Sequence, residues 1–374
     1  MFTFVANMIR GINKRYLPPE LLLRELDNYS FLKRKVLGFS VQSRPIHEIQ
    51  MGHGKQKIMM WSQMHGNETT TTKALLDLLH WLNEREQEPL LGAFTFYIIP
   101  QLNPDGAAAY TRLNGNLVDL NRDAIDLSQP ESKILRAAYQ RIQPDYALNL
   151  HGQRTIYGAG AEGKPATLSF LAPAANPKRT VTPARAKAME AIAAIKSQFE
   201  NDLPQGIGRY DDQFNPNCVG DTFTQLGTPT LLFEAGHYPE DYQREQVRSF
   251  VLKAYKALFL YLLNPSSDFT TKAYFEIPEN ASNYVDLIVL NVALEVEGKR
   301  YQNQQLALQY LEVLEQGEVR FLPTFKAFAK QLPFKAHRYV NLNKDLFDGI
   351  LFYQQDQIVK NEKLNQLFSL KGNF

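Results

Sequence analysis

Short apolar runs alternate with helix-like segments from about residue 45 to residue 263, and that alternation restricts the fold more than any other feature of the chain. Strand-like stretches are Ser40–Met51, Lys57–Met64, Phe94–Pro100, Asp145–Leu150, Thr167–Pro173 and Thr228–Gly236. Helix-like stretches run from Thr69 to Glu84, Glu131 to Ile142, from near Thr182, and from Pro239 to Leu263; in the first, Ala74, Leu75, Leu78, Leu79 and Leu82 share one face. Pro18-Pro19 open an earlier helix that reads on through PELLLRELDNYSFLKRKV. Ser40–Met51 and Lys57–Met64 flank Gly52-His53-Gly54 and read as a hairpin. Strands interleaved with helices predict an α/β fold, a mixed central sheet with helices on both faces.

The texture changes near Asn264-Pro265-Ser266-Ser267. Residues 1–264 are expected to form the main unit, and 268–374 a smaller appended α+β region that includes strand-like 285–298. At 374 residues, 44% hydrophobic and 21% charged, the chain has the composition of a globular protein with a large core. A formal charge of +2 without long single-sign blocks gives no reason to expect nucleic acid or membrane as a partner. No apolar run approaches the roughly 20 residues of a membrane span. One cysteine, Cys218, allows no internal disulfide and suits a reducing compartment. With no signal-like start, a cytoplasmic location is expected. Any zinc here must be held by His, Asp or Glu.

Four polar features sit at the ends of predicted strands: His65-Gly66-Asn67-Glu68, the turn-rich Asn103–Asp123, His151, and Glu234. In open α/β sheets ligands bind at the carboxyl ends of strands. A catalytic zinc takes three protein ligands and keeps one position open, and His65, Glu68 and His151 supply two imidazoles and a carboxylate. Glu234 is then free to take a proton from zinc-activated water. Arg112 and Arg122 can neutralise an oxyanion or grip a carboxylate. Asp119 can orient a ligand imidazole. Each element alone has a plainer reading: His65 to Glu68 as a solvated turn capped by Asn67 or Thr69, His151 as a strand-end histidine, Glu234 as a structural buried charge. Gly66 reads as the residue that permits a tight bend. His53 and His80 take no role, and His237 is expected to be structural.

Together these residues resemble the zinc metallocarboxypeptidases, peptidase family M14, over about residues 35–260. SVQSRPI resembles that family's hairpin, with Ser43 where glycine is common. MHGNE resembles its first zinc motif; NPDG, TR and VDLNR its central block; NLH its third zinc ligand; FEAG the strand of its catalytic glutamate. The resemblance implies that His65, Glu68 and His151 bind one zinc ion, that Glu234 is general base and then acid, and that Arg112 polarises the scissile carbonyl. It implies that Asn121 and Arg122 hold the substrate's terminal carboxylate. Tyr210 is the nearest match to the family's mobile-loop tyrosine. The chain departs from the pattern at Asp123, which puts an acidic residue after the DLNR motif. The expected reaction is removal of a C-terminal residue from a peptide. Two alternatives stand beside it: an aspartoacylase or succinylglutamate-desuccinylase type of zinc amidohydrolase acting on N-acyl amino acids, and an inactive binding module. Oligomeric state is not legible.

Overall fold

The computed structural model describes residues 9–296 and 299–341. Its strands are β1 (Lys33–Phe39), β2 (Pro45–Gly52), β3 (Gln56–Ser62), β4 (Phe94–Ile99), β5 (Tyr146–Gly152), β6 (Tyr157–Ala159), β7 (Leu168–Leu171), β8 (Ile207–Arg209), β9 (Thr230–Ala235), β10 (Asn280–Ser282), β11 (Tyr284–Val296), β12 (Lys299–Glu315), β13 (Glu318–Ala329) and β14 (Lys335–Asn341). The helices are α1 (Pro19–Asp27), α2 (Thr70–Leu82), α3 (Glu88–Ala93), α4 (Pro104–Ala109), α5 (Pro130–Ile142), α6 (Pro183–Ser197), α7 (Val219–Gln225), α8 (Glu245–Leu263) and α9 (Thr271–Phe275). Eight strands form one mixed sheet in the order β1-β2-β4-β3-β5-β9-β7-β8. Its centre, β4-β3-β5-β9, is parallel throughout. Apolar residues fill both sides. Leu75, Leu78 and Leu79 of α2 pack with Ile192 of α6 and Leu258 of α8 on one face. Ala138 and Tyr139 of α5 pack with Val219 and Phe223 of α7 on the other. The expected α/β architecture is therefore present. Among the described residues no helix is long and apolar enough to cross a membrane.

Three local expectations are corrected. Ser40–Met51 and Lys57–Met64 do not pair with each other: β4 inserts between β2 and β3. Alternation identifies a strand but not its neighbour. The hairpin here is β1–β2, antiparallel, on the outer edge. The helix from Pro19 ends at Asp27, and KRKVLGF is strand β1 rather than its continuation. That segment's Val36 is exposed, and Lys35 reaches the buried Glu48 of β2 at 2.9 Å. In an exposed edge strand the spacing of apolar residues does not distinguish strand from helix. The last helix of the main unit begins at Glu245, six residues later than Pro239, because Asp241 caps it by accepting from Glu245 N–H and Val247 N–H, both at 2.9 Å.

After α9 the chain first adds β10 to β6 of the main unit. It then forms a four-stranded sheet in the order β13-β12-β11-β14. Buried polar groups join the two sheets. Asp286 of β11 accepts from Tyr242 Oη (3.0 Å), Thr155 Oγ1 (3.2 Å), Tyr310 N (2.7 Å) and Gln309 Nε2. His337 of β14 donates from Nε2 to the Thr155 carbonyl at 2.6 Å and packs its ring on His237 and Tyr284.

This joint predicts a pH dependence of stability. His337 Nδ1 is buried with no hydrogen-bond partner, so a proton there would place a charge in the seam. Burial holds its pKa down, to about 4, below the usual 6.5. The sign follows: as pH falls, the unfolded chain takes the proton first, so stability is full above about pH 6.5 and is lost on the way down to about pH 4. From this group alone the loss by pH 5 is about 2 kcal/mol. Urea unfolding at pH 7.5 and pH 5 measures it. His337→Gln should reduce the difference, and an unchanged difference in that variant would assign it elsewhere.

Candidate metal centre and active-site cavity

The loop from β3 into α2 is built by close backbone approach. Gln63 takes the left-handed conformation (φ 46°), and its Nε2 donates to the Gly66 carbonyl at 2.7 Å. Gly66 is required, but not for the turn angle expected from sequence. A Cβ there would lie 1.9 Å from the carbonyl carbon of Gly106 in α4. The expected caps do not form. Thr69 precedes α2 without a side-chain cap and donates instead to the Arg15 carbonyl at 2.6 Å. Asn67 Oδ1 is buried without a partner and belongs to the cavity lining.

His65, Glu68 and His151 converge, with one donor atom from each within 4.8 Å of the others. His65 Nδ1 lies 2.8 Å from Glu68 Oε1 and 3.2 Å from His151 Nδ1. His151 Nδ1 lies 2.9 Å from Glu68 Oε2, which also accepts Gly152 N–H at 2.9 Å. Asp119 Oδ1 sits 3.0 Å from His65 Nε2. A carboxylate there fixes the proton on Nε2 and leaves Nδ1 as a lone pair. That lone pair then faces a carboxylate oxygen and a second imidazole nitrogen. Such a cluster repels itself unless a proton or cation lies among its members. Zinc with ligands at about 2.0–2.1 Å in a tetrahedron holds neighbouring donors roughly 3.3 Å apart, close to the separation of the two imidazole nitrogens. The donor set fits the ion.

The electrostatics lean the same way. Burial pushes the Glu68 carboxyl up, but His65 and His151 outweigh it and hold it well below the usual carboxylate range. Burial keeps His151 in its neutral, ligating form. Glu234 is the opposite case. It is the register partner of His151 on the neighbouring strand β9, and its Oε2 is buried without a partner. Burial, then the nearby charge of Glu68, raises its pKa well above the ordinary value. A carboxyl so placed holds a proton readily, and a cation at the triad would pull its pKa back down.

Arg112 grips Asp119 with Nε (3.1 Å) and Nη2 (3.0 Å), and its Nη1 is 3.6 Å from Glu68 Oε1. Asn121 Oδ1 accepts Val219 N–H at the start of α7 (3.1 Å), which leaves its NH2 as the donor available to a ligand. Arg122 Nη1 donates to the Asn121 carbonyl (2.8 Å) and to Cys218 Sγ (3.0 Å). Tyr210 sets its ring edge-on to Tyr157. One cavity of about 1060 Å³ is lined by His65, Glu68, Arg112, Asn121, Arg122, His151, Tyr210 and Glu234; Asp119 stands behind it. Asp123 does not line it. Its carboxylate accepts Ser128 N–H (2.9 Å), Ser128 Oγ (2.8 Å) and Gln129 N–H (2.9 Å), so the acidic residue after DLNR serves the loop into α5. His237 lies outside the lining, buried against Tyr242 and His337.

The cavity also contains residues with no signal in the sequence: Arg15, Tyr242, Arg244, Gln309, Tyr310, Leu311, Glu312 and Phe321. Arg15 is in a loop far upstream, and the last five come from β12 and β13. No motif marks them, and only the packing of the second sheet brings those five here.

Residues 21–124 match the zinc carboxypeptidase model of peptidase family M14. Carboxypeptidase 2 of Trichophyton tonsurans is 30% identical over 99 residues, 25% of this chain and 18% of that protein. Carboxypeptidase SOL1 of Arabidopsis thaliana is 34% identical over 104 residues, 24% of this chain and 21% of that protein. The chain thus spans about a fifth of the length of these curated relatives. The fold is similar to that of a metallo-carboxypeptidase from Pseudomonas aeruginosa, in complex with (2-guanidinoethylmercapto)succinic acid, with TM-score 0.54 and 20% identity over 66% of this chain and 70% of that one. It is similar also to carboxypeptidase A from Helicoverpa armigera, with TM-score 0.52 and 18% identity over 70% of this chain and 76% of that one. At these identities the structural likeness is one of fold. The chain is thus similar to zinc carboxypeptidases over residues 21–124, and its fold is similar to that of metallo-carboxypeptidases.

Proposed function

We propose that this chain is a zinc-dependent metallocarboxypeptidase that hydrolyses the C-terminal peptide bond of a peptide. The observation that carries this reading is the convergence of an acceptor-rich triad, a glutamate whose Oε2 is buried without a partner and a separate arginine–asparagine pair in one cavity. His65, Glu68 and His151 would hold the ion, which when bound supplies Lewis acidity towards an acyl oxygen and towards water. Arg122 and the Asn121 amide take the terminal carboxylate and so fix which bond is presented. Glu234 removes a proton from the attacking water as its oxygen bonds to the carbonyl carbon. Arg112 offers positive charge to the oxygen that becomes negative. Glu234 then returns the proton to the amine nitrogen as the C–N bond breaks, so no proton is gained or lost. Asp119 keeps His65 in the tautomer that ligates, and Tyr210 lines the same cavity.

The enclosure of the cavity by the second sheet favours one other reading, hydrolysis of N-acyl amino acids by the same groups. A paired assay decides. The purified protein is expected to hold about one zinc per chain and to release the last residue of an N-blocked peptide with a free carboxylate. Cleavage of N-acetyl or N-succinyl amino acids alone would transfer the assignment to the amidohydrolase. Failure to retain zinc after incubation with it would remove both.

A further inference from the structure

Strand β12 is longer than its sheet requires. Its pairing with β11 stops at Leu308, opposite Leu287. Its pairing with β13 continues to Glu315, opposite Glu318. Residues 309–315 and 318–324 are thus a two-stranded ribbon that outruns the other strands. Gln316 (φ 51°) and Gly317 (φ 80°) close it with both central residues left-handed, a tight two-residue turn. Such a ribbon is marginal in water by itself. This one is docked. Val319 and Phe321 pack with Tyr110, Tyr16 and Tyr242 of the main unit. Glu312 accepts Arg15 Nε (3.2 Å), Arg15 Nη2 (3.3 Å) and the Tyr110 hydroxyl. Lys14 reaches Glu318 at 2.5 Å. The Asp286 cluster ties down its root.

The docked ribbon puts Tyr310, Leu311, Glu312 and Phe321 into the lining of the cavity that holds Glu68 and Glu234. Leu311 is 46% exposed, an apolar side chain left uncovered at the cavity. The position of the ribbon relative to Arg122 follows from their anchors. Arg15, which holds the ribbon, also donates to Thr70 Oγ1 (3.0 Å) at the start of α2. Arg122 is held by Cys218, at the start of α7. Helices α2 and α7 cover opposite faces of the central sheet, and the triad and Glu234 stand on strand ends of that sheet. If Arg122 takes the terminal carboxylate, the ribbon confronts the part of the substrate on the acyl side of the scissile bond.

We propose that the β12–β13 ribbon is a fixed wall across the acyl side of the cavity, which restricts the enzyme to short substrates, N-acyl amino acids and di- or tripeptides, and rejects longer peptide chains. This rests on the carboxypeptidase reading of the same site. A cavity of about 1060 Å³, just above the range of about 300–1,000 Å³ for small-ligand pockets, has room for such substrates. An open groove is what a long chain would need.

The test is a length ladder of peptides sharing their last two residues, from an N-acyl amino acid to an octapeptide, with zinc-loaded enzyme. kcat/KM is expected to fall about tenfold or more between the tripeptide and the hexapeptide. Leu311→Ala should flatten the fall, and Leu311→Trp should move it to shorter peptides. Equal kcat/KM along the ladder, or one identical ladder in all three proteins, would overturn the wall. Calorimetric affinities of the same ladder for zinc-loaded Glu234→Gln separate this from the carboxypeptidase reading. Affinity that falls with length while the wild type turns over no rung keeps the wall and removes the peptidase. Affinity independent of length removes the wall whatever the turnover.

Discussion

Glu234→Gln is expected to retain about one zinc per chain and to lose roughly 10²–10⁴-fold in kcat, the range a positioned general base supplies. The amide is nearly the same size as the carboxyl, so β9 and its register with β5 should be undisturbed. It cannot accept the proton of water, nor return one to the leaving amine. Glu234 contributes no atom to the converging triad, so metal content should not move. Two measurements on one preparation decide it: zinc by elemental analysis and turnover of an N-blocked peptide. Full turnover in this variant would remove Glu234 from the chemistry. Loss of zinc together with turnover would make it a metal ligand instead.

His65→Ala has the complementary outcome. Zinc content should drop from about one per chain to near zero, and activity with it. The substitution removes one of three donors and also takes from the Asp119 carboxylate its imidazole partner, leaving it to Arg112 and the Asn121 N–H. Whatever stability the bound ion confers on the wild type, of the form RT ln(1 + [Zn]/Kd), is lost as well. Thermal unfolding with and without a chelator should therefore separate for the wild type and coincide for the variant. A variant that keeps stoichiometric zinc would show that the ion is held elsewhere.

The two variants probe residues that the sequence placed correctly at strand ends, and the reason it could do so is physical. Parallel strands deliver all their carboxyl ends to one edge, so a polar residue just after an apolar run must face that edge. His65, the Asn103–Asp123 loop, His151 and Glu234 each follow such a run. The central strands and most helices were legible for a related cause: α2 must bury one stripe, and its leucine spacing records that requirement. The same reasoning failed where neighbours matter. Nothing in Lys57–Met64 says that β4 will lie between it and β2. The role of the acidic Asp123 is not legible in the sequence, because its partners, Ser128 and the backbone of Gln129, close around it only after the loop has folded.

What the sequence by itself determined is therefore the class of fold, the candidate metal donors and the polar residues that face the carboxyl edge of the sheet, all of which follow from periodicity and from side-chain chemistry repeated along the chain. What only the tertiary structure decided is where the edge ends. Arg15 comes from a loop about fifty residues before the first histidine of the triad, and Glu312 from a strand of another sheet. Their pairing, and the ribbon it holds over the cavity, come from burial of Tyr110, Phe321 and Tyr242 against one another. Contacts between such distant segments leave no periodic mark, because each residue answers to a partner that the local pattern does not contain.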